Sequence, residues 1–339
     1  MDLAIRTEHL TKIYAGRVIA VNDLNLAVPC GSVYGLLGPN GAGKTTTLRL
    51  LLGLQRPTAG RAEVFGHACG VNATQVRQKI GFLPTHPSLP GNLLAIEYLD
   101  LLGRIYRIPA EVRKPRLSSL LRAVGLLGAT EQRIQTFSTG MRTRLGIAAS
   151  LLADPPLLIW DEPTAGLDPA ARRFTLDLIR DLAKTRTVVV ATHILSDIDQ
   201  ICDHVGVMLE GRMIFSGTMN DMKRRLHQDD FIVELDATAE AVQALVAETP
   251  NLQGIALGVR NSNSLAVKVL DGRSRARAVA DLMGLLDNRS LVLRAIRSGY
   301  NETEDAYLQL LQEDHAHGFR RFDFQSLTGT DARSGDLST

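Results

Sequence analysis

The 339 residues are 45% hydrophobic and carry a net charge of only +2, enough apolar material for two filled cores and too little charge to make nucleic acid the main partner. No run of about 18 apolar residues occurs, and Met1-Asp2-Leu3-Ala4-Ile5-Arg6 is not a basic region leading into an apolar block, so the reading expects a cytoplasmic chain without a span or secretory signal. Cys30, Cys69 and Cys202 are widely separated and lack CxxC spacing, which implies neither a disulfide framework nor a zinc site.

Residues 3 to 37 alternate short β-type runs with turns, and Tyr14 opens the loop Tyr14-Ala15-Gly16-Arg17, where an aromatic could stack on adenine. The apolar run Val33 to Leu37 reads as a strand. It leads directly into Gly38-Pro39-Asn40-Gly41-Ala42-Gly43-Lys44-Thr45, which satisfies every fixed position of the P-loop pattern G-x-x-x-x-G-K-[ST]. Glycines at 38, 41 and 43 let backbone N–H groups point inward at phosphate oxygens. Lys44 supplies a point charge to the β- and γ-phosphates, Thr45 offers a hydroxyl to Mg²⁺, and the run from Thr45 and Thr46 to Leu54 is expected to be a helix whose dipole faces the anion. The chain is therefore expected to bind a nucleotide with Mg²⁺.

From Leu93 to about Ala153 the period turns helical, with Leu94, Tyr98, Leu101, Leu102 and Ile105 spaced to share one face and Pro109, Pro115, Gly125 and Gly128 punctuating the stretch. Beyond it, Pro156 to Trp160 and Thr187 to Ala191 read as buried parallel strands around a helix from Pro169 to Lys184, and a hairpin over 205 to 216 closes the sheet. A second unit follows, with strands at 231–235, 252–259, 264–270 and 289–296 and helices at 237–248 and 274–287. That order, β-α-β-β-α-β, predicts a small ferredoxin-like α+β domain, followed by a helix from Glu302 to Gln312 and a tail expected to be disordered from Glu313.

The strand Leu157 to Trp160 ends in Asp161-Glu162, two carboxylates at the carboxyl edge of a parallel sheet, where ligands bind. Asp161 is expected in the Mg²⁺ shell and Glu162 as the general base that polarises an attacking water. With these residues stand Phe137-Ser138-Thr139-Gly140-Met141, opening a helix some twenty residues upstream, Ala165-Gly166-Leu167-Asp168, and Thr192-His193. Together they resemble the signature motif, D-loop and switch histidine of ABC ATPases, in the form found in ATP-binding subunits of ABC-2-type exporters, and the resemblance runs from residue 3 to about 220.

The resemblance implies an α/β P-loop NTPase core over 1–222 with a helical subdomain at about 86–155, and a regulatory or dimerising domain over 230–312. It implies ATP sandwiched between two ATPase subunits, Ser138 and Gly140 capping the γ-phosphate held by the other subunit, Asp168 at the interface, and His193 on the γ-phosphate. Docking on separate transmembrane permeases at the inner face of the membrane follows from it, with no nucleic acid partner. Relatives usually carry a glutamine where this chain has Thr85, which is shorter by two bonds and could reach the metal only through a water. Tyr300 to Leu308 loosely resembles the segment that ends many such exporter ATPases. A non-transport ABC ATPase would carry long coiled-coil inserts or a second P-loop, and an importer ATPase an all-β C-terminus; the sequence offers none of these.

Overall fold

A computed structural model describes residues 2–15, 17–70, 73–224, 231–248, 251–252, 254–270, 274–298, 307–308, 310–311 and 314. Its centre is a six-stranded sheet in the spatial order Arg212–Thr218, His204–Leu209, Val33–Leu37, Thr187–Thr192, Leu157–Asp161 and Ile80–Leu83. Every pairing is parallel except the hairpin at the first edge. The strands read as unbroken apolar runs because both faces are covered. Val33, Leu37, Leu158, Trp160, Val188, Val190 and Val205 turn to one buried cluster, shared with the helices, while Tyr34, Leu36, Leu157, Ile159, Val189 and Ala191 turn to a second. The second cluster is closed by the helix Lys44–Leu51 and by an antiparallel sheet built around the long strand Leu3–Tyr14.

The helical stretch resolves into Ala95–Ile105, Ala110–Ala123 and Thr139–Leu151, joined by two short 3₁₀ turns. Two expectations need correction. Pro115 lies inside the second helix rather than at a break; the only backbone bond it forfeits would have reached Glu111, in the first turn, so the helix tolerates it. The predicted apolar face of the first helix is also shifted, since Leu101 and Ile105 are exposed and the buried positions are Ala95, Leu99 and Gly103. The reason is a close approach: a Cβ on Gly103 would sit 2.4 Å from Arg113 Cδ, so the line Ala95, Leu99 and Gly103 faces inward while Tyr98 and Leu102 pack at its border.

The chain then builds a separate antiparallel sheet in the order Asn251–Leu252, Ile255–Asn261, Ser264–Val269, Phe231–Asp236, Val292–Ser298. Its first and third main strands are neighbours in the middle, as the β-α-β-β-α-β reading requires. Phe231, Val233, Leu235, Leu265 and Val267 pack with Val242 and Leu282 of the helices Ala239–Glu248 and Arg275–Asn288 in a cluster of their own. The strand expected at 252–259 is divided at Gly254, whose φ of +88° turns Asn251–Leu252 back against the strand that follows. Of the predicted helix at 302–312, residues 307, 308, 310 and 311 are helical and 302–306, 309 and 312 lie outside the described residues. Leu310 is buried in the cluster of the first unit, together with Phe215, Met219 and Met222. Asp314 is helical and pairs with Arg212 at 3.3 Å. Glu313, residues 315–339 and most of the Tyr300–Leu308 segment lie outside the described residues.

Candidate functional site

Three neighbouring strands of the central sheet end at the same edge. Leu37 stands opposite Thr192 and Asp161 opposite Ala191, so the residues that follow each strand are brought together by register alone. Gly38 N donates to Thr192 O at 3.3 Å and Glu162 N to Ala191 O at 2.8 Å. The P-loop, the paired carboxylates 116 residues beyond Thr45, and the Thr192-His193 step 30 residues further on thus share the carboxyl edge of one parallel sheet.

Within the P-loop, Gly43 has φ +98°, and a Cβ there would stand 2.3 Å from Ala20 O; only glycine lets the loop lie this close to the neighbouring strand. Pro39, Asn40 and Gly41 are exposed, and Ala42 is buried, its carbonyl taking a hydrogen bond from Gly211 N at 3.0 Å. Lys44, at the start of the helix Lys44–Leu51, is buried with its Nζ donating to Gly38 O (2.6 Å) and Pro39 O (3.3 Å). Thr45 Oγ1 donates to Asp161 Oδ2 at 2.7 Å, and Thr46 is half-buried beside it in the first turn. Asp161 Oδ1 is buried without a hydrogen-bond partner, which is an acceptor still to be satisfied.

Glu162 is the geometric centre of the edge. Its Oε1 lies 3.4 Å from Lys44 Nζ, and its Oε2 accepts from Thr192 Oγ1 at 3.1 Å and lies 3.0 Å from His193 Nδ1. The residue sits at φ +52°, a left-handed conformation that costs about 1–2 kcal/mol for a side chain with a Cβ. A carboxylate held between a buried cation and a half-exposed imidazole, on strained backbone, is fixed in place and able to take a proton from a water at the mouth of the loop. Thr192, which spacing alone did not single out for this role, completes the grip; its signal is a hydroxyl that follows the aliphatic run Val188 to Ala191 and stands directly before a histidine.

The ABC transporter family profile matches residues 21–165. The daunorubicin/doxorubicin resistance ATP-binding protein DrrA of Streptomyces peucetius is 37% identical over 316 residues, covering 91% of this chain and 92% of that protein. The bacitracin transport ATP-binding protein BcrA of Bacillus licheniformis is 43% identical over 227 residues, 66% of this chain and 73% of its own length. The chain belongs to the ABC transporter family. Among solved structures, an ATP-binding subunit of an ABC transporter superposes with a TM-score of 0.61 at 30% identity over 66% of this chain and 92% of its own. A dimeric ATP-binding cassette in a post-hydrolysis state, bound to ADP and Pi, gives 0.59 at 26% identity over 63% and 98%. The N-terminal unit is thus an ATP-binding cassette, and the enzyme is an ATPase.

The remaining expected site residues stand outside the hydrogen-bonded group that Lys44, Thr45, Asp161, Glu162, Thr192 and His193 form at that edge. Ser138 caps the helix Thr139–Leu151, accepting from Met141 N at 3.2 Å. Gly140 faces its own D-loop, with Leu167 and Ala171 each 3.8 Å from where its Cβ would be; no hydrogen bond of Lys44, Thr45 or Glu162 reaches either signature residue. Asp168 caps the helix Pro169–Ala183 through Ala171 N at 2.8 Å. Tyr14 ends its strand rather than standing in the loop, its hydroxyl bonded to Gln55 Oε1 and one ring face covered by Lys12 Nζ at 5.2 Å. Thr85 is half-buried just beyond the strand Ile80–Leu83 and is not among the partners of Thr45, Asp161 or Glu162. No helix among the described residues is long and apolar enough to cross a membrane.

Proposed function

We propose that this chain is the motor of an ABC exporter in which Glu162 is the general base, Lys44 and the P-loop backbone hold the triphosphate, and His193 contacts its γ-phosphate. The observation that carries the reading is the position of Glu162 between Lys44 and His193. When nucleotide enters, Lys44 has only to turn from the carbonyls of Gly38 and Pro39 toward the β- and γ-phosphates. Thr192 and His193 keep the freed carboxylate of Glu162 aimed at the attacking water, and His193 lies at the solvent side to stabilise the departing phosphate.

Thr45 and Asp161 would hold Mg²⁺. The orphaned Asp161 Oδ1 beside the Thr45 hydroxyl fits that ion, and among the described residues no cluster of three acidic, histidine or cysteine side chains offers a cage of its own. Such a sparse set suits a metal that takes its other ligands from phosphates and water. The ion would neutralise charge on the β- and γ-phosphates as the bond breaks.

Ser138 and Gly140 open a helix and are not among the hydrogen-bond partners of Lys44 or Thr45 in their own P-loop, which supports a role in capping nucleotide held by a second subunit. Asp168 would stand at the same interface and Tyr14 beside the adenine. The dimeric form of the solved cassette relative supports the same arrangement. The names of the relatives, drug resistance and bacitracin transport, support export as the work done. A cleft of about 690 Å³ between cassette and helical layer, lined by Leu54, Phe82, Tyr98, Leu102 and Tyr106, supports docking of a permease segment, which would hold the chain at the inner face of the membrane. Residues 1–222 then form the ATPase, with about 86–155 as its helical subdomain, and 230–312 regulate or dimerise.

The test is the pair Glu162→Gln and Lys44→Ala. Glu162→Gln is expected to keep nucleotide affinity, lose turnover by about 100-fold or more, and accumulate as an ATP-bound dimer in light scattering. Lys44→Ala is expected to weaken binding itself. Near-normal hydrolysis by Glu162→Gln would reject the assignment of the base.

A further inference from the structure

The segments Asp161–Asp168 and Thr192–Asp197 run side by side and are fastened at two points. At the near end, Glu162 Oε2 meets Thr192 Oγ1 and His193 Nδ1. At the far end, the Thr164 hydroxyl donates to Asp197 Oδ2. The 192–197 segment is also braced within itself, Ile194 N donating to Thr192 Oγ1 at 3.0 Å and Asp197 N to Ile194 O at 3.2 Å. Asp197 is 1% exposed, and its second oxygen is held by Arg172 Nε at 2.7 Å, while Arg172 Nη2 lies 2.6 Å from that oxygen and donates to Ser196 Oγ at 2.7 Å. Arg172 belongs to the helix Pro169–Ala183, which begins at Asp168.

We propose that Asp197, with Thr164 and Arg172, is the positioning clamp of the hydrolysis step: it locks the D-loop, the helix behind it and the switch histidine segment into one body, so that His193 and Glu162 keep their mutual geometry when the interface moves. A buried carboxylate is a poor choice for packing alone, because an apolar residue fills such a site without the desolvation cost. What the carboxylate adds is direction: two oxygens fix two donors from two different segments. The clamp sits close to the site along the chain, Thr164 being two residues beyond Glu162 and Asp197 four beyond His193. The clamp touches neither nucleotide nor attacking water, so it acts through those two residues. The inference rests on the roles given above to Glu162 and His193.

The test uses the full-length protein, phosphate release for turnover and a fluorescent ATP analogue for affinity. Asp197→Asn is expected to lower kcat about tenfold, with KM and nucleotide affinity within about twofold of the parent. Arg172→Lys, which keeps the charge and loses the forked donors, is expected to fall between Asp197→Asn and the parent. Combined with His193→Ala, Asp197→Asn is expected to add less than about a further twofold loss, because both changes remove the same positioning. A merely structural network would lower melting temperature and the fraction of active protein while leaving kcat per bound nucleotide intact. Should Asp197→Asn fail to fold, Thr164→Val opens the clamp without stranding a charge and is read the same way. Parental kcat in Asp197→Asn and Thr164→Val, or losses that multiply with that of His193→Ala, would overturn the clamp. Undiminished turnover in both Glu162→Gln and His193→Ala would instead remove the reading on which it rests.

Discussion

The two sheets at opposite ends of the chain differ in how they are covered, and the difference tells where each can act. The central sheet of the cassette is buried on both faces, so only the ends of its strands meet solvent, and there Lys44, Thr45, Asp161, Glu162, Thr192 and His193 collect. In the C-terminal sheet the clustered side chains Phe231, Val233, Leu265 and Val267 lie against the helices, while around a buried Ile232 the residues Ala256, Gly258, Ala266, Lys268, Arg294 and Ala295 stay outside that cluster and partly or fully exposed. A doubly covered parallel sheet concentrates chemistry at an edge; a singly covered antiparallel one leaves a broad face for contact. The sharpest way to break the comparison is to add the same methyl group to each. In Gly43→Ala the new Cβ would collide with Ala20 O at 2.3 Å on a backbone with φ +98°, and nucleotide affinity is expected to fall by about 100-fold. In Gly258→Ala the nearest atom is Ala266 O at 4.0 Å, and both affinity and stability are expected to hold, with a gain of up to about 0.5 kcal/mol from the stiffer unfolded chain. Equal losses in the two variants, by titration with a fluorescent nucleotide, would erase the distinction.

The next effect in size concerns where the two regions are joined. Leu310 follows the C-terminal sheet in sequence yet is buried in the cassette's cluster, so the chain leaves the cassette, builds a second core and returns. Leu310→Ala is expected to cost the cassette roughly 2–4 kcal/mol, the usual range for emptying a buried leucine site. Val233→Ala, inside the separate cluster, is expected to lower only the melting of the C-terminal unit and leave nucleotide affinity unchanged. Calorimetry that shows Leu310→Ala shifting the transition of the C-terminal unit alone would place that helix with the wrong body.

Local pattern made much of this legible. The P-loop, the strand Leu157–Asp161 and the β-α-β-β-α-β order each follow from short-range spacing, and the structure places them as that spacing implies. What escaped is what depends on another segment arriving. The helix Ala95–Ile105 keeps Tyr98 and Leu102 of its expected face against the core but exposes Leu101 and Ile105, because Arg113 comes in against Gly103, and the sequence carries no mark of that approach. The grip of Thr192 on Glu162, and the Asp197 network, join residues about thirty apart through parallel strand register. Tertiary return, as at Leu310, is invisible to any window of local periodicity.

Smaller still is the consequence of burying Tyr34 in the strand before the P-loop. Burial pushes its phenol up to about 12, partly opposed by the hydrogen bond to Ser216 Oγ at 3.1 Å. The unfolded phenol ionises near 10, so the folded state holds its proton where the unfolded state has lost it. Stability is therefore intact below pH 10 and declines as pH rises toward 12, by roughly 1.4 kcal/mol per unit. Tyr34→Phe should cost about 1 kcal/mol at neutral pH through the lost hydrogen bond and should flatten this alkaline decline. Urea titrations in which the unfolding free energy falls equally from pH 8 to pH 11 in parent and variant would deny that Tyr34 carries it.

Thr85→Gln is expected to do least, and for a reason that again contrasts edge and flank. Thr85 lies just past Ile80–Leu83, the strand at the far border of the central sheet, and it is not among the partners of Thr45, Asp161 or Glu162. Asp161 is already tied to Thr45, and Glu162 to Lys44, Thr192 and His193, so the centre of the site does not rely on position 85 for its geometry. A glutamine there extends a polar group toward the same edge without displacing any of these bonds. Turnover should be kept or rise by a few-fold at unchanged nucleotide affinity, a shift of under about 1 kcal/mol. A collapse of hydrolysis would mean that the short side chain is required, and that the flank of the sheet governs the chemistry at its centre.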